Sequence, residues 1–173
     1  MITLKKAEFA DYINLARLHA QNWRENYRGI LSDVFLDNKL DKYMKDTWQK
    51  KLRSPTAKEI TTIAFINDKI AGFSCLVLDD DENFGSMLDN LHVAHDEQNK
   101  GVGKLLVKHC AGIICDLAVD HRMWLWVYAQ NKHAIAVYNR LGGTHAETVE
   151  KETAEGTRAI VYRYTWDNVA PLR

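Results

Sequence analysis

Proline and cysteine are scarce in this 173-residue chain, with two of the first (Pro55, Pro171) and three of the second. No tract rich in Gly, Ser or Pro marks a linker and no repeat appears, so one domain over residues 1–173 is expected. The cysteines, Cys75, Cys110 and Cys115, are odd in number and sit in apolar surroundings. They read as buried free thiols of a reducing compartment rather than a disulfide frame, which makes a cytoplasmic location the expectation. No apolar run nears the roughly 20 residues of a membrane span and no basic-then-apolar leader opens the chain, so no membrane partner is expected. Charge of one sign is missing too, since 23 Lys+Arg balance 23 Asp+Glu. Without a net field or a basic stripe, nucleic acid is not an expected partner. Cys-x-x-Cys is absent, and His92, His95 and Asp96 lack the i, i+4 placement of helical ligands, so no metal is expected.

What is there suffices for a core, with 46% hydrophobic residues. Residues 2–5 predict a short strand. Phe9, Tyr12, Ile13, Leu15, Ala16 and Trp23 predict a helix up to Tyr27, stopped by Gly29. Ser32-Asp33 reads as the N-cap of one further helix to about Leu52, with Phe35, Leu36, Leu40, Tyr43, Met44 and Trp48 inward. β-Branched runs at 60–66 and 70–78 around Asn67-Asp68-Lys69 predict a hairpin, and a strand follows at about 87–93. A helix from Gly101 would turn Val102, Leu105, Leu106, His109, Ile113 and Leu117 to one side. Strand 123–128, helix 132–141 stopped by Gly142-Gly143, and strands 144–153 and 158–166 complete the chain. Helices interleaved with a mostly antiparallel sheet make the class α/β or α+β, in three layers.

Between strand 87–93 and its following helix lies QNKGVGKLLV, residues 98–107. It lacks the third glycine of a dinucleotide fingerprint and the spacing and hydroxyl of a P-loop. Two readings stay open on the glycines alone. One is a turn into an ordinary helix. The other is an anion cradle, in which Gly101 and Gly103 let a phosphate approach the free first-turn amides, with Lys100 and Lys104 beside it.

The surrounding order resembles the GNAT superfamily of acyl-CoA-dependent N-acyltransferases. Its pyrophosphate loop, Gln/Arg-x-x-Gly-x-Gly/Ala between the fourth strand and third helix, is matched by Gln98, Gly101 and Gly103. Its Asn-x-x-Ala-x-x-x-Tyr-x-x-x-Gly is matched by Asn131, Ala134, Tyr138 and Gly142, about 30 residues on. NWRENYRG and Trp48 look like one branch of the superfamily, and the likeness covers nearly the whole chain. Three places depart from the pattern: His95 for a proline, Gly142-Gly143 for Gly-Phe, and Met87 where many members carry a glutamate base.

The resemblance implies a three-layer sandwich around about seven strands, with the fourth and fifth parted to admit the pantetheine arm. It implies acetyl-CoA as co-substrate, its pyrophosphate on the amides from Asn99 through Lys100, Gly101, Val102 and Gly103 to Lys104. The oxyanion amide would lie within Leu91, His92 and Val93, and Asn131 would hold the arm, unless it is only a helix cap. Tyr138 would protonate the leaving thiolate, unless it is an ordinary core tyrosine. Asp89 is the first candidate base and His92 the second; strand alternation would put them on opposite faces, so that only one serves. Asp89 facing solvent or bound to a neighbouring side chain is the competing reading. Trp23, Tyr27 and Arg28 would line the acceptor side or merely pack a helix end, and Asp79–Glu82 would attract a cationic amine or be a solvated loop. No cysteine lies in the motifs, which favours direct transfer in a ternary complex over an acyl-enzyme. The expected activity is acetyl transfer to a primary amine, small-molecule or peptide, with a homodimer the default assembly. The rival reading is a non-catalytic acyl-CoA-binding sensor.

Overall fold

The computed structural model describes residues 1–173. Its strands are β1 (Ile2–Lys6), β2 (Glu59–Ile66), β3 (Lys69–Asp81), β4 (Gly85–Val93), β5 (Met123–Tyr128), β6 (Thr144–Glu152) and β7 (Arg158–Trp166). Its helices are α1 (Tyr12–Asn26), α2 (Asp33–Asn38), α3 (Leu40–Arg53), α4 (Val102–Leu117) and α5 (Lys132–Arg140). The seven strands form one sheet in the order β1-β2-β3-β4-β5-β7-β6. Every neighbouring pair is antiparallel except β4 and β5, which run parallel.

Helices cover both faces. On one, Leu15, Leu36, Leu40, Met44 and Trp48 of α1–α3 pack on Ile63, Phe73 and Cys75. On the other, Val107, Cys110 and Ile114 of α4 pack on Leu76, Leu88, Met123 and Leu125. The middle of β3 is therefore buried from both sides, which is why residues 71–76 read as an unbroken buried run rather than an alternating one.

The structure departs from the sequence expectation in two helices. The single helix expected from Ser32 to Leu52 is broken at Lys39, where φ is −116°. Near that break Arg24 of α1 donates from Nε to the Leu36 carbonyl at 3.0 Å, so a tertiary partner serves a group that a continuous helix would satisfy itself. Tyr43, expected inward, is 39% exposed. In α4 the buried stripe is Val102, Leu106, Val107, Cys110, Ala111 and Ile114, rotated from the expected one, and Leu117 is 64% exposed. An apolar helix such as this offers more than one plausible stripe, and packing selects among them: Cys110 donates from Sγ to Ser74 Oγ on β3 at 3.3 Å. Cys75 and Cys110 are buried thiols as expected, whereas Cys115 is only partly buried.

Gly143, the departure from Gly-Phe, has its reason in the fold. A Cβ there would come within 2.6 Å of the Trp166 indole, whose Nε1 donates to the Leu141 carbonyl at 2.9 Å. The ring of Trp166 already fills that space, so a larger residue at 143 has nowhere to pack. No helix is long and apolar enough to cross a membrane.

Candidate active site

Strands β4 and β5 pair only at Ser86 with Met123 and Met87 with Trp124. Beyond Met87 they part, and a cavity of about 620 Å³ opens there. Asn22, Trp23 and Tyr27 line it from α1, residues 88–93 from β4, and Trp126 and Val127 from β5. The segment from Gln98 to Lys104 and the face of α5 with Asn131, Ala134 and Tyr138 complete the wall.

At one end stands the start of α4. Its N-cap is Gly101, at φ +86°, a left-handed conformation that L side chains avoid, and no side chain caps the helix. The first helical bond runs from the Leu105 amide to the Gly101 carbonyl, and the amides of Val102, Gly103 and Lys104 have no partner within the protein. A Cβ at Gly103 would meet only Val93 Cγ2, at an ordinary 3.5 Å, so the protein's own packing does not demand glycine there. The open approach to these amides fits an anion such as a pyrophosphate.

Of the residues expected here, Gln98, Asn99, Gly101, Gly103 and Lys104 line the cavity. Two do not. Val102 is 1% exposed in the core, so only its backbone amide is available. Lys100 lies off the wall and pairs with Glu97 at 3.0 Å. His133 and Arg140 on α5 also line the cavity, and nothing in the sequence marks them beyond their presence on that helix. Asn131 is a helix cap in fact: its Oδ1 accepts from the Ala134 amide at 3.1 Å, leaving Nδ2 for the cavity.

Tyr138 packs against Tyr164 and Trp166 while reaching the cavity. Burial pushes its phenol up to about 12, so it holds its proton at neutral pH. Tyr27 stands against Tyr128 with ring centroids 4.8 Å apart. Its phenol is raised still further, by burial first and then by Tyr138 and Tyr128. Trp23 lies against Tyr27 with ring centroids 5.3 Å apart and planes tilted by 51°. Arg28, by contrast, pairs with Asp33 and Asp37, at 2.6 Å each, and does not line the cavity. The acidic stretch Asp79–Glu82, expected as a loop, is instead the end of β3 and the first turn residue after it, and it does not line the cavity; Asp79 accepts from the Val119 amide, and Arg122 donates to the Glu82 and Asn83 carbonyls.

Asp89 and His92 share one face of the sheet, contrary to the alternation expectation. Leu76 of β3 is opposite Leu88 and Cys75 is opposite Asn90, which leaves Asp89 as the extra residue of a β-bulge. The bulge resets the side-chain alternation. Asp89 Oδ2 then accepts from Lys51 of α3 at 2.6 Å and from Asn90 at 2.7 Å, while His92 meets Asn22 of α1. Asp89 is the sole carboxylate lining the cavity. Burial works against the Lys51 ammonium, yet Cys75, Asp89 and Glu59 outweigh it and raise its pKa. Burial lowers His92 to about 4, with Asp89 pulling weakly the other way. His19 beside it, ring centroids 4.2 Å apart, is also lowered, by burial first and then by His92 and Lys51. Asn22 was not foreseen, because a buried polar residue three positions from His19 has no sequence signature apart from interrupting the apolar stripe.

The comparisons with known proteins agree with this geometry. The Acetyltransferase (GNAT) family matches residues 19–143. An uncharacterized N-acetyltransferase of Bacillus subtilis, YuaI, is 23% identical over 137 residues, covering 78% of this chain and 76% of that protein. The PaiA N-acetyltransferase of Thermoplasma acidophilum, solved with coenzyme A, is similar with a TM-score of 0.75 at 18% identity, over 96% of this chain and 99% of that one. The ribosomal-protein-S18-alanine N-acetyltransferase of Escherichia coli is similar with a TM-score of 0.66 at 23% identity, over 95% and 92% of the two chains. With a parted β4–β5 seam, an uncapped α4 and a family match over most of its length, this chain belongs to the GNAT family and is an N-acetyltransferase.

Proposed function

We propose that the protein transfers an acetyl group from acetyl-CoA to a primary amine, small-molecule or peptide, by direct attack in a ternary complex. The observation that carries this reading is the single cavity joining the free amides of α4, Tyr138, Asp89 and the aromatic end of α1. The amides of Val102, Gly103 and Lys104 bind the pyrophosphate, aided by Lys104, with Gln98 and Asn99 at the turn. The unpaired edge of β4 at Leu91, His92 and Val93 receives the pantetheine arm and supplies the oxyanion amide, and Asn131 Nδ2 contacts the arm. Trp23 and Tyr27 wall the acceptor.

A lysine-like amine of pKa ~10.4 costs ~4–5 kcal/mol to neutralise at pH 7. Asp89, through its Oδ1 or an intervening water, takes that proton. Tyr138 gives its own proton to the sulfur as the C–S bond breaks. Its raised pKa suits this role, since the desolvation that disfavours a phenolate equally disfavours a thiolate beside it.

The ion pair of Asp89 with Lys51 favours a second reading, a sensor that binds acyl-CoA without turnover. Thiol release from acetyl-CoA across a panel of amines decides between them. Release that depends on one amine class supports transfer. Tight CoA binding with no release for any amine supports the sensor.

A further inference from the structure

We propose that His92 acts in the cavity as a neutral hydrogen-bond donor through Nε2, with Asn22 as the positioning residue that fixes its tautomer. The substrate group it takes is the carbonyl oxygen of the transferred acyl group. That assignment rests on the acetyltransferase reading; the tautomer does not.

Asn22 carries an amide whose orientation its partners fix. Asn22 is 5% exposed, on the face of α1 packed against the sheet. Its side-chain nitrogen donates to the Val93 carbonyl at 3.1 Å. Turning the amide over would set its oxygen against that carbonyl, two acceptors face to face, so Nδ2 is fixed where it is. The same nitrogen lies 3.4 Å from His92 Nδ1. An amide nitrogen has hydrogens to give and no lone pair to offer, so Nδ1 accepts and the imidazole proton sits on Nε2. Protonating Nδ1 would bring two donors together, which excludes the imidazolium as well.

The surroundings act in the same direction. Facing His92 are His19 and Asn22 from α1, Phe73 from β3 and Asp89 from its own strand, with the Lys51 ammonium of α3 behind Asp89. The one anion is thus paired with a lysine. His19 is itself held neutral, because Trp48 Nε1 donates to its Nδ1 at 3.1 Å. Burial lowers His92 to about 4, so the ring is uncharged throughout the neutral range. The one protein bond of the His92 ring is at Nδ1, Nε2 is not among the buried atoms left without a partner, and His92 lines the cavity. A neutral Nε2–H cannot take a proton from an amine, but it can meet an oxygen that gains negative charge. His92 is therefore a donor, and the base role falls to Asp89.

The primary test is the imidazole nitrogen spectrum of the uniformly labelled free protein, which separates the two neutral tautomers and the cation without requiring any activity. His92 is expected as the Nε2–H form from pH 8 down to pH 6. Asn22→Asp, which replaces the donor with an acceptor, should shift His92 to the Nδ1–H form or the cation, and Asn22→Leu should mix the tautomers. An Nδ1–H ring in the unsubstituted protein, or proton uptake above pH 6, overturns the proposal. The kinetic arm compares His92→Gln, which keeps an N–H, with His92→Ala. Loss of about 10²–10³-fold in kcat for Ala, with most of it restored in Gln and KM little changed, is expected for a lost donor. Equal loss in both variants overturns the donor role. If no amine is acetylated at all, the acetyltransferase reading fails while the tautomer result still stands or falls by the spectrum.

Discussion

The two ends of the cavity are made of different material. The α4 end presents backbone: three free amides at a helix start, a glycine at φ +86° and one lysine on the wall. The α1 end presents side chains from separate elements: Asn22, Trp23 and Tyr27 of α1, Asp89 and His92 of β4, and Trp126 of β5. A backbone cradle needs only a local conformation, so it tolerates changes in neighbouring side chains but not in glycine. A side-chain wall depends on how helices pack on the sheet, and each position can be exchanged to suit another acceptor. Donor binding should therefore fail through conformation, and acceptor chemistry through single functional groups.

The largest effect expected is at the seam between the two ends. Tyr138→Phe should lower kcat by about 10²–10⁴-fold with CoA affinity unchanged, as befits a lost general acid. Retained turnover with a good acceptor would return Tyr138 to the core. Asp89→Asn should lower kcat by about 10²-fold, and the rise of rate with pH should then follow the acceptor amine's own ionisation. An unaltered pH–rate profile would remove Asp89 from the chemistry.

The pH dependence of stability should include a contribution from the α1 end that substitution of His92 isolates. A histidine whose folded pKa is depressed stays neutral while the unfolded chain takes up a proton. Its stabilisation is thus complete above the unfolded value near 6.5 and is lost as pH falls toward the folded value. For His92, lowered to about 4, that amounts to roughly 3 kcal/mol between pH 6.5 and 4, with His19 adding in the same direction. Urea midpoints at pH 7 and pH 4.5 measure it, and His92→Gln should flatten the dependence.

Gly101→Val tests the α4 end. A β-branched residue at φ +86° should weaken CoA binding by about 10–100-fold by calorimetry, given a strain of order 1–3 kcal/mol, while the domain stays folded. Unchanged affinity would mean that the loop is only a turn. The smallest effect concerns Glu155 in the β6–β7 connection, which bonds the Ser32 amide at 2.7 Å and the Ser32 hydroxyl at 2.5 Å and so ties that hairpin to the start of α2. Glu155→Ala should alter acceptor KM a few-fold and leave CoA affinity alone. A change in CoA affinity instead would show that the two ends are not separable.

The contrast also explains what could be read before the fold was known. Gly101 and Gly103 mark a turn into a helix because a left-handed turn and a helix start are local events, decided within a few residues, while Gln98 stands out only through the resemblance. Asn131 and Tyr138 stand out only through the resemblance, since a helix cap and a core tyrosine are equally good local readings of them. For Lys100 and Val102 the expectation concerns backbone amides; spacing does not say that the Lys100 side chain pairs with Glu97 or that the Val102 side chain is buried. Asp89 and His92 stand on one face and not on the opposite faces that alternation predicts, since a bulge is a product of pairing with β3 and leaves no mark on β4 alone. Asn22 was invisible, as its worth lies wholly in the partner strand.

By itself, then, the sequence determined an α/β chain with a mostly antiparallel sheet, the glycine turn into α4 and the helix α5. These follow from periodicity, caps and glycine, which act over neighbouring residues. Only the tertiary structure decided where the expected parting of β4 and β5 begins, that the bulge turns Asp89 toward Lys51, and that Asn22 reaches across to Val93 and His92. Each of these joins groups up to 71 positions apart along the chain, and their energies exist only once the layers are packed.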